Sequence, residues 1–489
     1  MRILLVNPPA FSFKPRFKTY ATFPNGILYM AAVLEEHGHE VRVYDNVIDF
    51  GEPKDFIPFK PDVIGFSVVT GPNIDAAITQ SKEFKEIMPG VKIVWGGSHP
   101  SILPQQTLAE PYIDYVVIGA GEYTLLELIE HLEKGDTLGD IKGLAFKEAG
   151  RIVINEPRPF IKDLDELPDP AWHLVDVNKY WDITLSTSRG CPFSCTFCYN
   201  GAFHKSYRAE LSAERIIAQI EYLQKSYDTK YVKIWEDNFT LNTARLRRFC
   251  QMIIDNKMKV KWDTEARASL DEEDIALMAK SGCVSVGLGM ESGSQRILDF
   301  IKKGTNVAEM EKSFWLLVKH KILPRLYIIV GLPTETTEDF KMTNDLIERL
   351  DHPPYTYMRY TPYPGTTLLD YCITNRLITP PDKLADWGDF TTLAATQVNM
   401  SHIPQEMIEK AAAHFRKTYA VRPLRFALRH NPAYFWSLLR SPSEFWRILR
   451  NLTKYYLMVL FGSSDSLKDP SGKASPQSNR VPSDGGGAD

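Results

Sequence analysis

The sequence predicts an α/β protein made of two successive parallel-sheet units followed by a helical C-terminal region. Three observations carry that expectation. Short apolar runs alternate with helical patterns in two blocks along the 489 residues, an acidic, proline-rich connector separates the blocks, and basic and aromatic residues replace the pattern after about residue 400. Alternating strand and helix implies a mostly parallel sheet whose faces are covered by helices.

The first block, residues 1–135, is expected to form a Rossmann-like unit of the flavodoxin type. Its strands fall at 3–6, 41–45, 63–67, 92–95 and 115–118, with helices such as 26–37 and 74–88 between them. Ligands of such sheets sit in the crevice beyond the carboxyl ends of the strands. The residues that follow those ends are small and polar: Ser67 and Thr70, then Gly96, Gly97, Ser98 and His99, then Gly119, Gly121 and Glu122. Glycine there lets a backbone approach a bulky ligand closely, although plain turn chemistry explains the same residues. No GxGxxG follows the first strand, which weakens a dinucleotide reading.

Residues 136–180 read as a linker, with Pro157, Pro159, Pro168 and Pro170 among acidic residues. A hairpin pairing 143–146 with 152–154 across Ala149 and Gly150 closes the first unit. Trp172 and Trp181 cover an interface or simply pack.

The second block, residues 181–400, repeats strand and helix six times, with strands at 183–187, 231–235, 260–263, 284–289, 326–330 and 357–361. Helices at 213–227, 243–256, 272–281 and 308–319 are bounded by Ser212, Asn242 and Asp271 as N-caps and by Gly282 as a C-cap. Six such units make a partial (β/α)6 barrel, whose active groups collect at the C-terminal strand ends. Just past the first of these ends lie Cys191, Cys195 and Cys198. Three thiolates leave one metal position open, the mark of a catalytic rather than a structural site. Cysteine thiolates are the usual ligands of iron–sulfur clusters. A Cys₃His zinc site closed by His204 is the alternative.

The other three cysteines are scattered and read as small buried hydrophobes. This usage argues against a secreted disulfide framework and for a reducing, cytoplasmic setting. The N-terminus reads as a buried strand rather than a signal peptide, and no apolar stretch reaches the length of a membrane span. A net charge of −4 and a pI near 6.3 give no reason to expect nucleic acid as a partner.

The three-cysteine loop, with Phe197 before its last cysteine, resembles that of the radical S-adenosylmethionine (SAM) superfamily. The resemblance implies a 4Fe-4S cluster whose open iron is chelated by the amino and carboxylate groups of SAM. It implies that Glu236 or Asp237 holds the SAM ammonium, Arg267 and Glu291 the carboxylate or ribose, and Gly331, Leu332 and Pro333 the adenine side. Taken singly, each of these is equally well a surface charge, an ion-pair partner or a turn. The block placed before the cysteines resembles the cobalamin-binding module of B12-dependent radical SAM enzymes. Ser67, Thr70, Gly96, Gly97, Gly119, Gly121 and Glu122 would then cradle cobalamin. An Asp-x-His-x-x-Gly motif is absent after the first strand, so the resemblance implies base-off cobalamin without a histidine from that position. His99 lines the nucleotide-tail side or is a plain loop residue.

The same resemblance implies that an external flavodoxin- or ferredoxin-type donor reduces the cluster and that SAM is cleaved to a 5′-deoxyadenosyl radical. That radical attacks an unactivated carbon of a small, hydrophobic substrate. The expected outcome is methyl transfer, as in class B radical SAM methyltransferases. The alternative is oxidative cyclisation, as in the anaerobic Mg-protoporphyrin IX monomethyl ester cyclase group. A non-catalytic cobalamin carrier or a zinc-stabilised binding protein is the reading from another class.

Residues 401–461 are expected to be helical, first over 403–419. The stretch 422–454 places seven arginine and lysine residues and His430 against Glu444, with Phe426, Tyr434, Trp436 and Trp446 between them. Such a segment lies on an anionic membrane surface as a peripheral contact or caps the barrel with its arginines in water. In residues 462–489 Ser, Gly, Pro and Asp dominate, with too little apolar surface to bury, and the stretch reads as a disordered tail.

Overall fold

The structure, a computed structural model, describes residues 1–9, 23–49, 51–180, 182–267, 269–390, 398–419 and 421–432. Trp181, most of the basic aromatic stretch and the whole predicted tail lie outside the described residues.

The first unit runs β1 (Arg2–Asn7), α1 (Asn25–Glu36), β2 (Glu40–Asp45), β3 (Val63–Ser67), α2 (Asn73–Ile87), β4 (Lys92–Gly96), α3 (Ser98–Ile102), α4 (Pro104–Leu108), β5 (Tyr115–Val117) and α5 (Glu122–Lys134). Its parallel strands take the order β2-β1-β3-β4-β5. The connections reverse direction between β1 and β3, which opens a crevice at their carboxyl ends. Both faces of β1 are buried because helices cover both. Ile3 and Leu5 pack with Leu28 and Leu125, while Leu4 and Val6 pack with Ile74 and Trp95. The predicted hairpin forms as β6 (Leu144–Glu148) and β7 (Arg151–Ile154) and extends the sheet antiparallel from β5.

The linker binds the two units instead of merely spanning them. Trp172 is buried and stacks on Tyr222, with ring centroids 5.2 Å apart. Ala171 N–H donates to Leu28 O at 3.1 Å, and Tyr180 donates to Asp45 Oδ2 at 2.6 Å.

The second unit begins with β8 (Ile183–Ser186), β9 (Ser188–Arg189), α6 (Tyr199–His204) and β10 (Ala209–Glu210), and continues through α7 (Ala213–Tyr227), β11 (Tyr231–Trp235), α8 (Thr243–Asp255), β12 (Lys261–Ala266) and α9 (Glu272–Lys280). There follow β13 (Cys283–Glu291), α10 (Gln295–Phe300), α11 (Val307–Lys319), β14 (Leu323–Val330), α12 (Thr337–Arg349), β15 (Tyr355–Arg359), α13 (Thr367–Thr374), α14 (Gln405–Thr418) and α15 (Arg422–His430). Six parallel strands in the order β8-β11-β12-β13-β14-β15 form the partial barrel. Ser212 and Asn242 cap α7 and α8 by accepting from the N–H of Arg215 and Arg245. Asp271 occupies its N-cap position without a side-chain hydrogen bond.

Several strands run beyond the apolar runs that announce them. The added Glu265 and Arg325 join a polar inner face: Lys233 pairs with Glu265 at 2.9 Å, Tyr327 donates to Glu265 at 2.8 Å, and Arg325 lies 3.3 Å from Asp263. Thr184, Ser186 and Trp235 belong to the same inner face, since Thr184 is in register with Lys233 and Ser186 with Trp235.

At the other end of the barrel, α15 docks as a cap. Phe426 packs edge-on against Phe314, Arg422 lies 3.9 Å over the ring of Tyr355, and Arg429 pairs with Asp351 at 2.6 Å. Among the described residues no helix is long and apolar enough to cross a membrane.

Candidate cofactor cavity and cysteine loop

The carboxyl ends of the two sheets face each other across a cavity of about 560 Å³. Of the residues singled out at the first sheet's strand ends, all but His99 line it: Ser67, Thr70, Gly96, Gly97, Ser98, Gly119, Gly121 and Glu122. From the barrel side come Ser186, Ser188, Gly190, Glu236 and Asp237. Sequence reasoning missed the aromatic and apolar part of this wall. Val69, Tyr199 and Trp235 are 47%, 40% and 48% exposed, large hydrophobics left open in the one cavity. Exposed apolar side chains gathered in one cavity are a mark of a ligand-binding surface. Tyr363 and Pro364, from the loop after β15, also reach it.

Gly97 turns the chain from β4 into α3 with φ 102° and ψ −174°, a region closed to residues with a Cβ. An added Cβ would strike the Val68 carbonyl. His99, in the following turn, is fully buried, points its Nδ1 at Thr70 Oγ1 at 2.9 Å and packs on Trp387. It does not line the cavity. Glu122 lines the wall, yet its carboxylate is spent on Arg189, which it grips through both oxygens at 2.5 and 3.1 Å. The pair joins α5 of the first unit to β9 of the second, directly before the cysteines.

The cysteine loop, residues 190–198, is pinned at both ends. The two-residue pairing of β9 with β10 holds its base, and α6 starts on Cys198. Gly190 has φ 78° and sits so close to the Tyr207 carbonyl that no side chain fits there. Farther round, Thr196 N–H donates to Ile301 O and Thr196 O accepts from Leu368 N–H. The three cysteines are free thiols and partly accessible, whereas Cys250, Cys283 and Cys372 are buried in the core as expected. Burial pushes the Cys198 thiol up to about 12 and raises Cys191, so ionisation of both is coupled to binding a metal.

The remaining predicted residues divide into three groups. Glu236 is buried and fully engaged: Arg208 and Arg245 pair with one oxygen and Thr187 donates to the other. These two arginines were not legible as a site, because nothing in the residues around them marks them out. Asp237 keeps an open side toward the cavity, accepts one hydrogen bond from Asn200 at 2.8 Å, and has its carboxyl raised by burial. Arg267 lies against the cysteine loop, 3.6 Å over the Phe193 ring and with Nη1 3.9 Å from Cys195 Sγ. Glu291 is buried against Lys303 at 2.6 Å. Gly331 and Leu332 donate their N–H groups to Glu335 Oε2 at 2.8 and 3.1 Å, and burial raises that carboxyl to about 7. Arg267, Glu291 and the Gly331–Leu332–Pro333 turn do not line the cavity.

Fold and site together define an α/β enzyme that holds one cofactor against a Rossmann-like sheet and another on a three-cysteine loop at a barrel mouth. Residues 19–129 match the B12-binding domain and residues 185–347 the radical SAM superfamily. An uncharacterized methyltransferase of Pyrococcus horikoshii is 34% identical over 436 residues, covering 86% of this chain and 93% of its own. The anaerobic magnesium-protoporphyrin IX monomethyl ester cyclase of Rubrivivax gelatinosus is 28% identical over 71% of this chain and 65% of its own. Among solved structures, the cobalamin-dependent SAM radical enzyme OxsB superimposes with a TM-score of 0.70 at 20% identity, covering 94% of this chain and 72% of that one. The chain belongs to the cobalamin-binding radical SAM enzymes, and its cofactors are a 4Fe-4S cluster, SAM and cobalamin.

The residues present fit those groups. Open space lies beside Gly119, and the buried Ser188 Oγ and His204 Nδ1, both on the cavity wall, have no hydrogen-bond partner. Among the described residues no three Cys, His, Asp or Glu side chains converge on a single ion. A cluster, unlike zinc, takes each thiolate on a separate iron and needs no such convergence.

Proposed function

We propose that this enzyme methylates an unactivated carbon of a small molecule bound in the cavity between the two sheets. The observation that carries the reading is that one continuous cavity has the cobalamin-type strand ends as one wall and the approach to the cysteine loop as the other. When bound, SAM and the cluster supply a radical that abstracts hydrogen, and cobalamin supplies a methyl group. Cys191, Cys195 and Cys198 hold the cluster. Asp237, with its side chain open to the cavity, takes the SAM ammonium, and Glu236 serves as the buried anchor that fixes the strand end beside it. Arg267 steadies the cysteine loop by stacking on Phe193. The Gly331–Leu332–Pro333 turn, shaped by Glu335, takes the adenine side. Gly96, Gly97, Gly119 and Gly121 bring the backbone to the corrin.

The exposed faces of Val69, Tyr199 and Trp235 support a substrate with a substantial apolar surface, and an external flavodoxin- or ferredoxin-type donor supplies electrons. Residues 1–135, 136–180 and 181–400 act as cobalamin unit, linker and SAM unit. A peripheral membrane contact would use the basic and aromatic residues that follow α15 in the sequence. Oxidative cyclisation is the second reading, favoured by the similarity to the Rubrivivax enzyme.

Anaerobic reconstitution followed by incubation with SAM carrying a deuterated methyl group, with and without dithionite, tests this. Methyl transfer yields 5′-deoxyadenosine and a product heavier by the labelled methyl. Label-free product that has lost hydrogens establishes cyclisation, and absence of 5′-deoxyadenosine from fully loaded protein refutes both.

A further inference from the structure

Arg267 stands directly after β12 and reaches toward the cysteine loop instead of lining the cofactor cavity. Its guanidinium carbon lies 3.6 Å from the centre of the Phe193 ring, and Nη1 is 3.9 Å from Cys195 Sγ. Nη2 faces Gly304, where an added Cβ would meet it at 3.3 Å. Stacking on the ring fixes the plane of the head group, and the glycine leaves the space it occupies. At 3.9 Å the contact with sulfur is long for a hydrogen bond. What Arg267 brings to Cys195 is therefore chiefly its charge.

That charge is not cancelled by a neighbour. The acids at the adjoining strand ends are engaged elsewhere, Glu265 with Lys233 and Glu291 with Lys303. Among the described residues no carboxylate pairs with Arg267, and the undescribed residue beside it, Ala268, is uncharged. Asp237 and Arg208 act electrostatically at Cys191 with opposite signs. Their charges, and those of the undescribed residues, set the absolute level of the site. They are present with and without Arg267, so they drop out of the difference that its replacement makes.

We infer that Arg267 tunes the cluster: its positive charge beside Cys195 favours the reduced state and raises the reduction potential. Reduction adds one electron and one negative charge to a cluster held by three thiolates, and no bond forms or breaks. The electron comes from the external flavodoxin- or ferredoxin-type donor. Net charge and contacts at the ligand sulfurs are among the factors that set such potentials. At this range, with the effective dielectric found near a protein surface, one unit charge shifts the equilibrium by at least about tenfold. For a one-electron couple tenfold is about 59 mV. The inference rests on the proposed reading of Cys191, Cys195 and Cys198 as the cluster's ligands, and it assigns Arg267 a role beyond steadying their loop.

The test is an anaerobic redox titration of protein loaded with cluster and cobalamin and free of SAM, following the electron paramagnetic resonance of the reduced cluster. Arg267→Gln, planar but uncharged, should lower the equilibrium constant for reduction at least about tenfold. Arg267→Lys keeps the charge while giving up the planar stack, and should stay within about threefold of wild type. A residue that only props up the loop would give the reverse order. The cobalt couple, read from cobalamin absorption in the same samples, should move less than the cluster, because Arg267 does not line the cavity. An unchanged cluster equilibrium in Arg267→Gln, an equal fall in Arg267→Lys, or equal shifts of cluster and cobalt would overturn the assignment. Failure of both Arg267→Gln and Arg267→Met to assemble a cluster would overturn it too, by showing a structural role. Cys195→Ala keeps the two readings apart. A cluster retained there sinks the ligand reading, whereas a cluster lost there, with a potential indifferent to Arg267, sinks the tuning role alone.

Discussion

At Gly190 there is no room for a side chain, and the residue stands directly before Cys191, the first cysteine of the loop. Its φ of 78° and its closeness to the Tyr207 carbonyl mean that alanine there must push the loop off β10. Gly190→Ala should therefore lose most of the iron taken up on anaerobic reconstitution. Gly201→Ala, where an added Cβ meets nothing within 4 Å, should keep it, so equal iron content in both would refute the argument. Glu335 gives a pH-dependent test at the same scale. Burial raises its carboxyl from 4.5 to about 7 against the help of the Gly331 and Leu332 N–H groups. A carboxyl with a raised folded value stabilises the fold when protonated, fully below pH 4.5, and that stability drains away as pH climbs through 7. The shift corresponds to about 3 kcal/mol between those limits. Glu335→Gln mimics the protonated form, so its urea midpoint relative to wild type should rise between pH 5 and pH 8 by about that free energy. A constant difference across the range would disprove it.

Among the elements, α7 and α8 show how little of the barrel depends on long-range information. Ser212 and Asn242 were readable as N-caps because each precedes a run with helical periodicity, and each side chain accepts from the N–H three residues on. Ser212→Ala should cost about 1 kcal/mol in urea unfolding, while Asp271→Ala, whose side chain caps nothing, should cost clearly less. Strand ends were less legible. Glu265, Glu291 and Arg325 interrupt the apolar pattern and made β12, β13 and β14 look shorter than they are. Glu265 meets Lys233 of β11, Arg325 meets Asp263 of β12, and Glu291 meets Lys303 beyond α10; a pairing between separate elements leaves no periodic mark in either one.

For the molecule as a whole, the joint between the two units decides whether the cavity exists. The Glu122–Arg189 pair crosses that joint with Glu122 only 4% exposed, and Arg189 also lies 5.5 Å over the Tyr29 ring. Removing one partner strands the other's charge, so Glu122→Ala should destabilise by about 3 kcal/mol and lower cobalamin retention on gel filtration. Glu122→Ala with Arg189→Met should recover most of that stability. Failure of the double variant to recover would mean that the pair is not what the joint relies on. The linker adds the Trp172–Tyr222 stack and the Tyr180–Asp45 bond, so the units are joined along the linker's length as well as at the cavity rim.

By itself the sequence determined the class of each unit, their order and the three-cysteine loop. Alternation, caps and the Cys191-Cys195-Cys198 spacing are local properties, written within a few residues of where they act. The ends of the first sheet's strands were legible as cavity positions for the same reason. Only the tertiary structure decided which of two adjacent carboxylates stays open: Arg208 and Arg245 close on Glu236 from 28 and 9 residues away and leave Asp237 facing the cavity. It also turned Glu122 from a candidate ligand into an interdomain clamp on Arg189. A charge is available to a ligand only if no neighbour has neutralised it, and neighbours are assigned by packing, not by position along the chain.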